Sequence, residues 1–245
     1  MNSEKNLMIN LENITYTYPG SDTPVIDQLS LKLYSGNRIG VMAPNGSGKT
    51  TLFSIIMGLV KPDKGKIEIF GEPVSTEKDF EKVRRRIGLL FQDSDDQLFS
   101  PTVLEDVAFG PLNLGKSPEE AKTIAMDTLS DLGLNGFEER ITYKLSGGEK
   151  RMVALATVLA MKPDVLLLDE PNTGLDEKTK NRLIDVLANL DLSYLVISHE
   201  NDFLYDTTTM IFTMENGKIF PGEKIHRHRH AHPHHHDHKH ITHDA

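Results

Sequence analysis

The sequence predicts an α/β fold organised around a phosphate-binding strand–loop–helix, with a β-rich lobe before it and a helical insert after it. Three stretches carry this prediction. Residues 39–52 read I-G-V-M-A-P-N-G-S-G-K-T-T-L, a short apolar strand, a loop with two glycines and the start of an apolar-periodic helix. Residues 165–170 read V-L-L-L-D-E, an apolar strand that ends in two carboxylates. Between them, residues 92–150 lose the strand pattern and carry proline punctuation and helix caps.

Taken in order, residues 7–18 and 29–33 alternate like strands and flank the turn formers Pro19, Gly20, Ser21 and Asp22. Tyr16 and Tyr18 lie just upstream of the nucleotide loop and could offer a face for adenine, although spacing alone favours ordinary packing. In the loop, Gly46 and Gly48 let backbone N–H groups turn inward, and the helix expected over residues 50–59 adds its positive dipole end. Lys49 reaches the β- and γ-phosphates and the Thr50 hydroxyl can ligate Mg²⁺. The pattern asks for glycine where Ala43 stands, which a negative φ would tolerate. Residues 66–70 and 87–91 read as two further strands, separated by the charged segment 77–86.

Gln92 follows the second of these strands directly. The insert it opens shows Leu98, Phe99, Val103, Val107 and Phe109, an apolar surface that reads either as a plain helical subdomain or as a docking face. Ser117, Pro118 and Glu120 form an N-cap, a first-turn proline and a capping-box acid, with Gly133 as the stop. In K-L-S-G-G-E-K-R, Ser146 caps a helix whose first amides, opened by Gly147 and Gly148, make a second anion-ready end. Alone, such an S-G-G is equally a flexible cap. At the end of the 165–170 strand, Asp169 is placed to hold Mg²⁺ and Glu170 to orient and deprotonate a water. After P-N-T-G-L-D, a helix is expected over residues 177–190 and a strand over 193–198. His199 follows, where an imidazole can hydrogen-bond a γ-phosphate; a histidine in isolation would read as structural.

The chain has 245 residues, enough for one large domain or two small ones, and no cysteine, which excludes a thiol nucleophile, a disulfide framework and a Cys-built zinc site. Its formal charge is −9, and the segment after Gly222, with four basic and three acidic residues, contributes +1, leaving −10 on the body. A body this acidic argues against nucleic acid as a partner. The start, M-N-S-E-K-N-L-M, lacks a signal-peptide pattern and no apolar run approaches a membrane span, so a soluble, cytoplasmic chain is expected.

The ordered set A-P-N-G-S-G-K-T, Gln92 after a strand, L-S-G-G-E, V-L-L-L-D-E-P, Leu175-Asp176 and His199 resembles the ATP-binding-cassette ATPase family over about residues 7–221. The resemblance implies a P-loop NTPase core with a parallel sheet, an N-terminal antiparallel β lobe and an inserted helical subdomain. It places one domain at 1–222, with core at 1–91 and 151–222 and helical subdomain at 92–150, before a tail at 223–245. ATP and Mg²⁺ are the implied cofactors. Nucleotide would be held by Tyr18 under adenine and by Ala43, Pro44, Asn45, Gly46, Ser47, Gly48, Lys49, Thr50 and Thr51. Mg²⁺ would be held through Thr50, Gln92 and Asp169. Catalysis would fall to Lys49, Gln92, Glu170 and His199. Ser146, Gly147 and Gly148 would act in trans, on nucleotide bound to a second copy of the chain or to a related ATPase. Departures are Ala43, Glu149 where glutamine is common, and Asn172 where threonine is common.

Residues 91–114 are similar, more narrowly, to ATPase subunits of energy-coupling-factor importers of the cobalt and nickel branch. That likeness implies a transmembrane coupling protein, a membrane-embedded substrate-capture protein and a peripheral place on the cytoplasmic face of the membrane. A vitamin importer or a soluble ATPase of the same superfamily are the alternatives. The tail holds ten of the eleven histidines: His226, His228, His230, His232, His234, His235, His236, His238, His240 and His243. Its composition predicts disorder. Alternating imidazoles suit Ni²⁺, Co²⁺, Zn²⁺ or Cu²⁺, and a metal store or sensor is the favoured reading over a purification tag or a pH-dependent polycation.

Overall fold

The structure, a computed structural model, describes residues 6–224. Its first lobe opens with β1 (Leu7–Tyr16) and β2 (Ile26–Tyr34), an antiparallel pair in which Leu11 faces Leu31 and Ile14 faces Leu29. β1 ends two residues sooner than the alternation suggested, where Pro19 and Gly20 begin the turn. β3 (Arg38–Met42) runs into the phosphate loop and α1 (Lys49–Ile56). α1 is shorter than expected. Gly58, at φ +67, lies so close to Phe80 that an added Cβ would sit 2.1 Å from the ring, so the chain turns there instead of continuing.

β4 (Lys64–Ile69) returns to pair antiparallel with β1, and β5 (Glu72–Pro73) completes a four-stranded sheet in the order β2-β1-β4-β5. The charged segment that follows is not a spacer but α2 (Glu77–Arg84), held by a Thr76–Asp79 capping box and anchored through Phe80 and Val83. β6 (Ile87–Leu90) then enters a second sheet.

The insert contributes α3 (Val103–Asn113), α4 (Pro118–Asp131) and α5 (Gly147–Leu159), each with a Ser or Thr capping box. β7 (Val165–Asp169), α6 (Glu177–Asn189), β8 (Ser193–Ser198), α7 (Asn201–Thr207) and the hairpin β9 (Met210–Glu215) and β10 (Lys218–Lys224) follow. The second sheet has the order β10-β9-β3-β8-β7-β6, parallel throughout except for the edge strand β10.

All residues of β7 and β8 are buried because both faces of this sheet are covered. Leu167, Leu195 and Ile197 pack with α1, α2 and the β lobe, whereas Leu166, Leu168 and Val196 pack with α5, α6 and the insert. The expected cut after residue 150 falls inside the first turn of α5, which packs on α3 and α4 and also on β6. The insert therefore shares the core of the sheet's second face.

Candidate nucleotide site

The site forms at the C-terminal ends of β3, β7 and β8, where an open parallel sheet places its ligands. β3 delivers the loop. Gly46 and Gly48 take φ +79 and +98, a conformation that side-chain-bearing residues rarely adopt, and a Cβ on Gly48 would meet the Val25 carbonyl at 2.8 Å. Ala43 is not among the non-glycine residues with positive φ, so its methyl group is accepted without backbone strain.

Lys49 Nζ donates to Glu170 Oε1 at 2.5 Å and to Asn45 Oδ1 at 3.2 Å, and both charged side chains of this ion pair are buried. Thr50 Oγ1 donates to Asp169 Oδ2 at 3.0 Å. His199 Nδ1 lies 2.7 Å from Glu170 Oε2, which also accepts from Thr173 Oγ1 at 3.2 Å. Glu170 sits at φ +47 while its amide donates to the Ile197 carbonyl, so the carboxylate is held by a strained backbone fixed at both ends. Tyr18 is about half exposed and its hydroxyl lies 2.8 Å from Thr51 Oγ1, which stations the ring beside the phosphate loop.

The two adjacent carboxyls are tuned in opposite directions. Burial raises the Asp169 pKa, offset in part by the Thr50 hydroxyl and Lys49. Burial also acts on Glu170, but hydrogen bonds from Lys49 and His199 outweigh it and leave its pKa lowered. Asp169 Oδ1 and Ser47 Oγ are buried without a hydrogen-bond partner among the described residues. Two oxygens from Thr50 and Asp169, one of them unpartnered, fit a hard cation that takes its remaining ligands from phosphate and water.

The raised pKa makes ionised Asp169 a stability cost at neutral pH, one that disappears as pH falls through its folded and then its unfolded value. Asp169→Asn is therefore expected to be more stable than wild type at pH 7, read as a higher Tm. The gain should shrink toward pH 4. Thermal unfolding at both pH values checks this; an Asn variant less stable than wild type at pH 7 would contradict the burial argument.

Gln92 is exposed on the wall of a cavity of about 670 Å³ that it shares with Thr50 and Asp169. Gly147 borders the same cavity. Ser146 and Gly147 face solvent at the start of α5, and Gly148 packs against Thr179 of α6. Ser146 N donates to Glu149 Oε2 at 2.8 Å, and Arg140 Nη1 donates to Glu149 Oε1 at 2.8 Å. The structure thus brings together Tyr18, the 43–51 loop, Asp169, Glu170 and His199, with Gln92 across the cavity. The tail histidines lie outside the described residues.

Two further residues join the site: Asn172, which the sequence marks only as a departure from the family pattern, and Arg151, which it does not mark. Asn172 is buried, and its Oδ1 accepts from Ser198 Oγ at 2.9 Å, joining the loop after Glu170 to the strand before His199. Arg151 donates to the carbonyls of Phe91 and Gln92, one on each side of the Gln92 Cα. Only its place four residues after Gly147 could have marked it.

A family profile described as ABC transporter matches residues 26–173, well over half of the chain. The chain belongs to the ABC transporter family. A Nitratidesulfovibrio vulgaris protein whose name assigns it to ATP binding in an ABC transporter is 52% identical over 212 residues, covering 86% of this chain and 78% of that one. The energy-coupling factor transporter ATP-binding protein EcfA of Methanothermobacter thermautotrophicus is 42% identical over 216 residues, covering 86% of this chain and 69% of that one. Among solved structures, cbiO1 from Clostridium perfringens, part of the ABC transporter complex cbiONQ, matches with TM-score 0.79 and 31% identity over 88% of both chains. The ATP-binding cassette MJ0796, solved as a dimer bound to ADP and phosphate, matches with TM-score 0.81 and 29% identity over 90% of this chain and 100% of that one. The ABC chain is an ATP-binding subunit and an ATPase.

Proposed function

We propose that two copies of this ABC ATPase, or one copy and a related ATPase, close head to tail on ATP and that closure powers a membrane importer of Ni²⁺ or Co²⁺. The observation that carries the dimer is the division of parts. Each chain has a phosphate loop with its carboxylates and, across the cavity at the start of α5, a helix end whose Ser146 and Gly147 face solvent. The dimeric relative bound to ADP and phosphate supports this reading.

In the proposed cycle, the arriving β- and γ-phosphates draw Lys49 away from Glu170. Glu170, released on that side, orients a water and takes its proton, while His199 steadies the γ-phosphate. Gln92 closes over the water from the insert side, Tyr18 stacks on adenine, and the second copy's helix end caps the γ-phosphate. Mg²⁺ held by Thr50, Asp169 and Gln92 would neutralise developing phosphate charge.

Among the described residues no helix is long and apolar enough to cross a membrane. A peripheral subunit on the cytoplasmic face, docked on a transmembrane coupling protein with a substrate-capture protein beside it, accounts for this. The EcfA relative and cbiO1, itself part of a larger transporter complex, favour that assembly. The metal cargo rests on residues 91–114 and on the ten tail histidines.

The test is uptake of labelled Ni²⁺ and Co²⁺ by the native cells carrying the wild-type chain, Glu170→Gln, or a chain ending at residue 222. Loss of uptake of one ion in Glu170→Gln names the cargo, and a weaker loss in the truncated chain gives the tail its role. Unchanged uptake of both ions in every strain would remove the metal and leave a vitamin or other small solute as the cargo.

A further inference from the structure

The loop that carries Gln92 leaves the sheet at the end of β6, yet its side-chain ties run to α5. Arg151 Nη1 donates to the Phe91 carbonyl at 2.6 Å and Nη2 donates to the Gln92 carbonyl. Lys150 Nζ pairs with Asp95 Oδ1 at 2.5 Å. Gln97 Nε2 donates to the Ala154 carbonyl at 3.0 Å and to Thr157 Oγ1 at 2.9 Å. Among the described residues, no hydrogen bond of residues 92–97 goes to α1, β3 or β7, and the cavity separates Gln92 from Thr50 and Asp169.

Arg151 is the strongest of these ties, because it is only 5% exposed and its planar guanidinium grips two successive carbonyls at once. It also sits one turn below Gly147, on the helix whose free end faces solvent. We propose that Arg151 is a positioning residue that makes α5 and the Gln92 loop one moving part. The helix end that one copy offers to its partner's ATP then reports on the nucleotide in that copy's own site. This rests on the head-to-tail reading above.

The physical consequence is reciprocal coupling. When the start of α5 is fixed by a partner's phosphate, Arg151 fixes the carbonyls beside Gln92 and so sets that side chain over its own cavity. By linkage, a nucleotide that engages Gln92 favours the α5 position that closes the partner's site. Without the guanidinium, the loop retains Lys150 and Gln97 as anchors but loses the grip next to Gln92 itself.

Steady-state hydrolysis against MgATP concentration is measured for the purified wild-type chain, Arg151→Met and Arg151→Lys. Binding of a fluorescent ATP analogue to each chain and ATP-dependent dimerisation in a Glu170→Gln background are followed in parallel. The wild type is expected to show a Hill coefficient above about 1 and no greater than about 2, the number of sites in the dimer. Arg151→Met should bring it to about 1 and lower kcat roughly 10- to 100-fold through misplacement of Gln92, with analogue affinity unchanged. Arg151→Lys, which can reach one carbonyl but not both, should recover part of the cooperativity.

Dimerisation in the Glu170→Gln background combined with wild-type cooperativity in Arg151→Met overturns the coupling role and leaves the head-to-tail reading standing. Failure of Glu170→Gln to dimerise on ATP overturns both. Loss of analogue binding by Arg151→Met and Arg151→Lys alike, with early melting, makes Arg151 a fold-stabilising residue and also overturns the proposal.

Discussion

In a Glu170→Gln chain, ATP turnover falls roughly 10²- to 10⁴-fold, the span associated with a positioned general base, while ATP stays bound and the closed dimer accumulates. The substitution keeps the shape of a side chain that is 2% exposed and held at φ +47, so the backbone around the site is not released. It removes the charge that Lys49 and His199 both address. A Gln amide cannot take a proton from water, yet the phosphate loop, Thr50 and Asp169 are untouched. Gel filtration with ATP and a phosphate-release assay read the two halves of this expectation. Turnover near the wild-type rate would take Glu170 out of the base role.

Lys49→Met is expected to abolish hydrolysis and to cost about 3–5 kcal/mol of stability, because one member of a buried ion pair is removed and the other stays charged. Glu170 would keep only His199 and Thr173 as partners. The sign with pH follows from the lowered Glu170 pKa. Its contribution is present above the unfolded carboxyl value and is lost as pH falls through the folded one, so the deficit of Lys49→Met is largest near neutrality and narrows in acid. The double variant Lys49→Met with Glu170→Gln should regain most of the lost stability and none of the activity. Urea unfolding of the four chains gives the coupling energy; strictly additive losses would mean that the pair contributes nothing jointly.

The chemistry of the site was legible because phosphate binding and hydrolysis need particular residue types at fixed spacing. Lys49 and Thr50 open a helix, and Asp169, Glu170 and His199 stand at or just past strand ends, places where local sequence sets the geometry, and the structure gathers them. The strand at 193–198 and the cap at Ser117 were equally local. What sequence did not give was long-range. α2 shows only Phe80 and Val83 to the core, too few to make a helical period visible among its charges. The β9–β10 hairpin owes its place to pairing with β3, far back in the chain. Arg151 meets two carbonyls, which carry no residue identity at all. The resting contact between Lys49 and Glu170 was hidden for another reason: each residue has a role toward ATP, and only the folded chain shows them answering each other first.

The order of strands across the second sheet also sets a schedule for synthesis. β3 lies between β8 and β9, with Arg38 opposite Tyr194 and Ile39 opposite Met210. The phosphate loop therefore leaves the ribosome early but has no strand beside it until nearly the whole chain has followed. α3, α4 and α5, by contrast, are close in sequence, carry their own caps and can assemble first. The phosphate loop is thus among the earliest parts made and the last to be placed, and a chain cut short before β8 would carry its carboxylates at the end of β7 with no strand joining them to the loop.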